Sequence, residues 1–246
     1  MFRLILALGL ALAVPAAALD LTRLTPAEQA ALDAAIHDYI VRHPEVLVEA
    51  AQALEAKQAQ AQTAAAARLV AQNARALFDD PASWVGGNPA GDVTLVEFMD
   101  YRCPYCRKAY EAVSDLVQSD GKIRFIVKEY PILGPQSELA SRFAVAVLQA
   151  AGPEAYAKLH DALMNARGEI TPEALGKLAT RHGLDAKDLL ARMSTAPVNR
   201  VIDANRDLGD KLAIQGTPTF VIGDQLLRGY VPEAELKAIV AKLRKP

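Results

Sequence analysis

Val96-Glu97-Phe98-Met99-Asp100-Tyr101-Arg102-Cys103-Pro104-Tyr105-Cys106 carries an apolar run straight into two cysteines, and its reading decides the fold. Val93 to Met99 is β-branched and apolar, the composition of a buried strand. Cys103 to Val117 reads as a helix, so the first cysteine falls where a strand turns into a helix. A thiol there faces the unpaired N–H groups of the first turn and the positive end of the helix dipole, and both stabilise its thiolate. Such surroundings take a cysteine pKa from about 8.5 into the range of roughly 3.5 to 7.5. Cys103 is therefore expected to be the nucleophile. Cys106, one turn on and on the same side, is placed to resolve a mixed disulfide by attacking the Cys103 sulfur.

These are the only two cysteines in 246 residues, which excludes a disulfide-stapled scaffold and a four-thiolate zinc site. A mixed zinc site would need ligands from His37, His43, His160 and His182, none of which has ligand-pair spacing. A purely structural bridge over so short a loop adds little stability. Redox exchange is the reading favoured over both. With 52% hydrophobic and 23% charged residues the chain can build a full core. Its 27 basic and 29 acidic residues leave no positive field, so nucleic acid is not an expected partner.

Downstream, Ile123 to Val127 reads as a second strand. Residues 136–213 are almost wholly helical in pattern, punctuated by Gly152-Pro153, Gly168, Thr171-Pro172, Gly183 and Ala196-Pro197 into four or five helices. Pro218 to Ile222 and Leu226 to Gly229 form a hairpin about Gly223-Asp224, and Pro232 to Leu243 is a closing helix. Without the helical block the order is β-α-β then β-β-α, which predicts an α/β fold: one sheet, helices on its faces, and a large helical insertion. Trp84 is read as packing at the entrance to this domain, with no further role. Arg102, Arg107 and Lys108 either support the thiolate or form a solvated helix face.

Upstream, Met1 to Ala18 has one basic residue, an apolar run from Leu4 to Val14 and small residues at Ala16 to Ala18, the pattern of a secretory signal peptide. The run is too short for a membrane span, which needs roughly 20 residues. An exported protein works where disulfides form and persist. Residues 19–80 read as a helical arm and linker, and 81–246 as the catalytic domain. In the arm, Thr25-Pro26-Ala27-Glu28 is a helix start with the residues of a capping box, and that helix stops at His43-Pro44. A second helix is expected from Pro44 to Phe78. With few large apolar residues it cannot form a core alone. Self-association through Ile36, Ile40, Val46, Leu47 and Leu54 is the favoured reading; a solvated spacer helix is the alternative.

The opening stretch, with Glu129-Tyr130-Pro131-Ile132-Leu133-Gly134 and Gly216-Thr217-Pro218-Thr219-Phe220-Val221, resembles the DsbA-type thioredoxin-fold thiol oxidoreductases. With the arm segment Ile36-His37-Asp38-Tyr39-Ile40-Val41-Arg42-His43-Pro44-Glu45-Val46-Leu47, it resembles the suppressor of copper sensitivity protein C (ScsC) group. The resemblance implies a thioredoxin-like fold preceded by an oligomerisation arm. It implies that Pro218 is a cis-proline facing the cysteines, where the alternative is an ordinary trans proline opening a strand, and that the Thr217 backbone pairs with a substrate peptide. It implies that Glu97 is a buried acid beneath the cysteine pair, able to relay the Cys106 proton; an exposed strand residue is the alternative. Pro104 and Tyr105, between the sulfurs, tune the potential.

Of three readings of the function, the first is favoured and the other two are alternatives. The first is a periplasmic disulfide isomerase or reductase with no cofactor beyond the Cys103–Cys106 dithiol, acting on exported cysteine-containing proteins. The arm argues for it, and the resembled group includes trimeric isomerases reduced by a membrane thiol reductant of the ScsB or DsbD type. The second is a monomeric DsbA-like dithiol oxidase. The third is a copper-tolerance protein holding Cu(I) on Cys103 and Cys106, since soft thiolates suit that ion.

Overall fold

A computed structural model describes residues 24–245, so the signal-peptide reading of Met1 to Ala18 lies outside the described residues. The chain divides into two units, one ending at Gln58 and the other beginning at Ala59. That division falls earlier than the boundary between residues 80 and 81 read from the sequence.

In the first unit, α1 (Pro26–Arg42) begins with the capping box read from the sequence. The Thr25 hydroxyl accepts from the Glu28 N–H, and the Glu28 carboxylate accepts from the Thr25 N–H at 2.8 Å. No side chain of α1 is buried. The helix ends at His43, ahead of Pro44, and α2 runs over Glu45–Gln72. Ile36, Tyr39, Val41, Leu47, Val48 and Leu54 are all exposed in the described chain, while Ile40 and Val46 are half-buried.

The expected single helix to Phe78 is interrupted. Asn73 leaves the helical region at φ −111° and its side-chain amide donates to the Leu69 carbonyl at 2.8 Å, so α3 (Ala74–Phe78) is a separate turn. This is the usual competition of an Asn side chain for backbone groups. The end of α2 and α3 both belong to the second unit's core: Val70 and Leu77 are buried with Val96, Phe98 and Ile126.

The second unit has a five-stranded sheet in the order β1-β3-β2-β4-β5. The strands are β1 (Trp84–Gly87), β2 (Val93–Met99), β3 (Ile123–Glu129), β4 (Thr219–Ile222) and β5 (Gln225–Arg228). Only β2 and β3 are parallel; β1 pairs antiparallel with β3, β4 with β2 and β5 with β4. Helix α4 (Pro104–Asp120) makes the crossover between the parallel pair, burying Cys106, Ala109, Val113 and Leu116 at helical spacing. The insertion comprises α5 (Pro135–Met164), α6 (Pro172–Arg181), α7 (Ala186–Arg192) and α8 (Ala196–Lys211). Gly152 at φ 83°, followed by Pro153, divides α5 in two. Helix α9 (Glu233–Leu243) closes the fold.

Side chains alternate across β2. Val93, Leu95 and Met99 face the core shared with α4 and the insertion, while Val96 and Phe98 face the core shared with α3 and the end of α8. Glu97 shares the parity of Leu95 and Met99, so it enters the side on which Cys106 is buried.

Two features depart from the sequence reading. Strand β1 was not anticipated, and Trp84 within it does more than guard an entrance. Its ring stacks on Tyr156 at 5.3 Å and its N–H donates to the Pro153 carbonyl at 3.0 Å. The second feature is Lys128 on β3, almost wholly buried. It donates to Asp80 and to the Ala76 carbonyl, both at 2.7 Å, fastening α3 and the following loop to the sheet.

Candidate active site

The cysteine turn is built at the C-terminal end of β2, where the strand hands over to α4. Cys103 is the N-cap residue and Pro104 the first helical residue, a position where proline's missing N–H costs nothing. The Cys103 thiol is 4% exposed and Cys106 is wholly buried; both are free thiols. The Cys103 thiol is lowered to about 5. Hydrogen bonding from the Cys106 thiol is the largest cause; burial opposes it, and the Thr217 side chain and the N–H groups of Cys106 and Tyr105 add to it. The N–H groups of the helix N-terminus thus contribute behind the larger effect of the partner sulfur. Burial drives Cys106 the other way, far above an ordinary thiol, helped by Cys103 and by the nearby Glu97. One sulfur is poised as a thiolate and its partner held as a thiol.

Thr217-Pro218 is a cis peptide immediately before β4, and the Cys103 thiol donates to the Thr217 carbonyl at 3.1 Å. Glu97 is 3% exposed and one of its carboxyl oxygens has no hydrogen-bond partner. Burial, and secondarily the Cys103 charge, raise its carboxyl to about 8. Tyr105 projects outward, 61% exposed. The residues singled out from the sequence therefore converge on one place.

The basic residues near the turn do other work. Arg107 donates to the carbonyls of Tyr101 and Ala166, Arg102 to that of Gly168, and Lys108 lies over the Tyr230 ring at 4.3 Å. Of the four histidines only His160 is buried. It stacks beside Tyr156, contacts the Tyr101 hydroxyl at 2.9 Å, and burial lowers it to about 4. Tyr101 and Tyr156 both donate to Glu129, at 2.8 and 2.6 Å, and burial raises that carboxyl to about 7. This buried network escaped the sequence reading, as did Asp100. Glu129 stood in a quoted motif, but nothing in its neighbours along the chain marks it as buried.

Among the described residues no group of three or more His, Cys, Asp or Glu side chains is arranged to hold a metal. Cys103 and Cys106 are left as a pair of soft sulfur ligands, the donor type to which Cu(I) is suited.

A family model described as thioredoxin matches residues 79–242. The chain belongs to the thioredoxin family. Over residues 28–61 this thioredoxin-family chain also matches a model described as the copper resistance protein ScsC N-terminal domain, and it is a DsbA-type protein of the ScsC kind. A thioredoxin-like oxidoreductase from Silicibacter pomeroyi is 41% identical with a TM-score of 0.65, covering 70% of this chain and 98% of its own. Proteus mirabilis ScsC in a transitional conformation is 30% identical with a TM-score of 0.66, covering 89% of this chain and 98% of its own. Disulfide bond formation protein D of Bacillus subtilis is 25% identical, covering 63% of this chain and 74% of its own length. The match to Na(+)/H(+) antiporter NhaA 3 of Salinispora tropica, 29% identical over 64% of this chain, spans 24% of that protein's length.

Proposed function

We propose that this thioredoxin-family protein is a periplasmic thiol-disulfide oxidoreductase that works as a disulfide isomerase or reductase on exported cysteine-containing proteins. The observation that carries the reading is the asymmetry of the sulfurs: Cys103 lowered to about 5, Cys106 buried and held protonated beside Glu97. A thiolate at low pKa is both a ready nucleophile and a good leaving group, which exchange requires in each direction.

The Cys103 thiolate attacks one sulfur of a wrongly paired substrate disulfide, forming a mixed disulfide and releasing a substrate thiolate. In isomerisation that thiolate attacks another substrate disulfide, a substrate thiolate displaces Cys103, and no net electrons move. In reduction, Cys106 loses its proton to Glu97 and attacks Cys103, leaving an oxidised pair and a reduced substrate. Two electrons must then come from a membrane thiol reductant of the ScsB or DsbD type.

The arm supports isomerisation over oxidation. Its apolar residues are exposed in a single chain, which fits a homo-oligomer, a trimer by likeness to the ScsC group. Several thiolates around one space favour reshuffling and shield the sites from an oxidant. The test is refolding of scrambled ribonuclease by the protein with and without residues 19–58, a deletion that leaves Val70, Leu77 and Asp80 in the second unit, with mass in solution from light scattering. The expected result is an oligomer whose isomerase rate is lost with the arm. A monomer that oxidises reduced ribonuclease would overturn the isomerase reading in favour of a DsbA-like oxidase. Cu(I) binding on Cys103 and Cys106 is a separable second property, checked by competition titration against Cys103→Ser.

A further inference from the structure

Asp100 stands three residues before the nucleophile and is wholly buried. Its carbonyl accepts from the Cys103 N–H at 3.0 Å and one carboxylate oxygen accepts from the Arg102 N–H at 2.7 Å. Together these close residues 100–103 into a turn held by its own first side chain. Its N–H donates to the Cys106 sulfur at 3.5 Å. The other carboxylate oxygen reaches across to a different loop, accepting from the N–H groups of Ile132 and Leu133 at 2.9 and 3.1 Å. One side chain therefore joins the turn that carries the nucleophile to the loop that follows β3.

That loop has a surface the sheet does not need. In the second unit the large apolar side chains left exposed among the described residues are Tyr105, Ile132, Leu133 and Leu243. The first lies between the cysteines, and the next two lie on the loop that Asp100 grips. Exposed apolar side chains between the cysteines and on the loop tied to their turn suit an unfolded polypeptide, which presents apolar residues next to its cysteine.

We propose that Asp100 is a positioning residue for substrate capture: it ties the nucleophile turn to the Ile132–Leu133 loop, so that the sulfur and an apolar lip meet the substrate as one rigid element. The occupant of the lip is an apolar side chain of an unfolded protein adjacent to its disulfide. This rests on the exchange function proposed above. Asp100→Asn keeps the volume and one acceptor but sets an amide N–H against donors on one side, so it cannot serve the turn and the lip at once.

The experiment uses the full chain and two synthetic peptides, each joined through its cysteine in a mixed disulfide with a chromogenic thiol, with Leu or Ser next to that cysteine. The wild type is expected to prefer the Leu peptide. Asp100→Asn and Leu133→Ala should each reduce that preference about tenfold, chiefly through KM, the scale of one lost apolar contact. The double variant should lose no more than either alone, because the two act as a unit. The ultraviolet thiolate titration of Cys103 should stay near pH 5 in Asp100→Asn. Equal slowing of both peptides with a displaced titration would overturn the proposal, placing Asp100 in the sulfur chemistry instead. Should Asp100→Asn fail to fold, Leu133→Ala decides alone, and an unchanged preference refutes the lip. A wild type that exchanges with both peptides without preference refutes this inference only; one that exchanges with neither refutes the proposed function.

Discussion

The Cys103 sulfur lies 3.1 Å from the carbonyl oxygen of Thr217, across the gap between the cysteine turn and the strand that begins after the cis-proline. As a thiol, Cys103 donates to that oxygen. As a thiolate it has no proton to give, and the two electron-rich atoms repel. Ionisation of the nucleophile thus frees the Thr217 carbonyl to accept an N–H from an incoming chain, at the moment the sulfur becomes reactive.

The alkylation rate of reduced protein by iodoacetamide should rise with a midpoint near pH 5, set by the Cys103 thiol, and Cys103→Ser should abolish the fast phase. A group held ionised in the fold down to about 5, against 9.0 without the fold, stabilises the reduced protein. That contribution is full above pH 9 and lost as pH falls through 5. The stability of reduced wild type relative to Cys103→Ser should therefore grow between pH 5 and pH 9 in denaturant titrations. A flat difference would mean the sulfur is not depressed.

Glu97 carries the opposite sign. Its carboxyl ionises near 8 in the fold and 4.5 outside it, so the fold is penalised as pH rises from 4.5 to 8 and not at all below. Glu97→Gln should stabilise the protein by about 3 kcal/mol at pH 7, at about 1.4 kcal/mol per pH unit, and by nothing at pH 4. The same change removes the proton acceptor for Cys106. Resolution of a mixed disulfide, followed by acid quench and mass spectrometry, should slow roughly a hundredfold and lose its rise near pH 8.

At the Lys128–Asp80 pair, losing the acid should hurt more than losing the base. Burial lowers the Lys128 ammonium's pKa and its hydrogen bond to Asp80 partly restores it, so the charge persists because its partner does. Asp80→Ala strands that ammonium at 1% exposure and should cost about 3 kcal/mol in urea unfolding. Lys128→Met leaves Asp80 its bonds from Ala82 and Ser83 and should cost about 1 kcal/mol. Equal losses would contradict this account.

Gly209 on α8 lies against the ring of Tyr130, and a β-carbon there would overlap the phenol. Tyr130 is buried and its hydroxyl donates to the Ile214 carbonyl at 3.3 Å. Gly209→Ala should cost about 2 kcal/mol in thermal unfolding, with relief in the double variant carrying Tyr130→Leu, which removes the ring carbons that the new methyl would meet, and none with Tyr130→Phe, which keeps them.

What could be read from the sequence follows the range of the forces involved. The strand-to-helix placement of Cys103, the capping box at Thr25 and the hairpin at Gly223 are local, and their residues sit side by side in the chain. Glu97 was singled out through the family resemblance alone, since its depth comes from β4 and α4, which the strand by itself does not reveal. Strand β1 gave no signal because Trp84-Val85-Gly86-Gly87 is short, rich in glycine and paired only on its β3 side. The break at Asn73 depends on one side-chain bond within an otherwise helical pattern. Asp100 was invisible for a different reason: the bonds that tie it to the other loop come from backbone N–H groups more than thirty residues away, and a backbone leaves no mark on composition.

Trp84 is the chain's sole tryptophan, and it rests on Tyr156 with its indole N–H bonded at the bend of α5. Nature has thereby fitted this molecule with one optical gauge, located at the seam between an edge strand and the inserted helices. Its emission will register the loosening of that seam and stay quiet about chemistry at the sulfurs. A melt followed at that wavelength and one followed by thiol accessibility are two separate clocks.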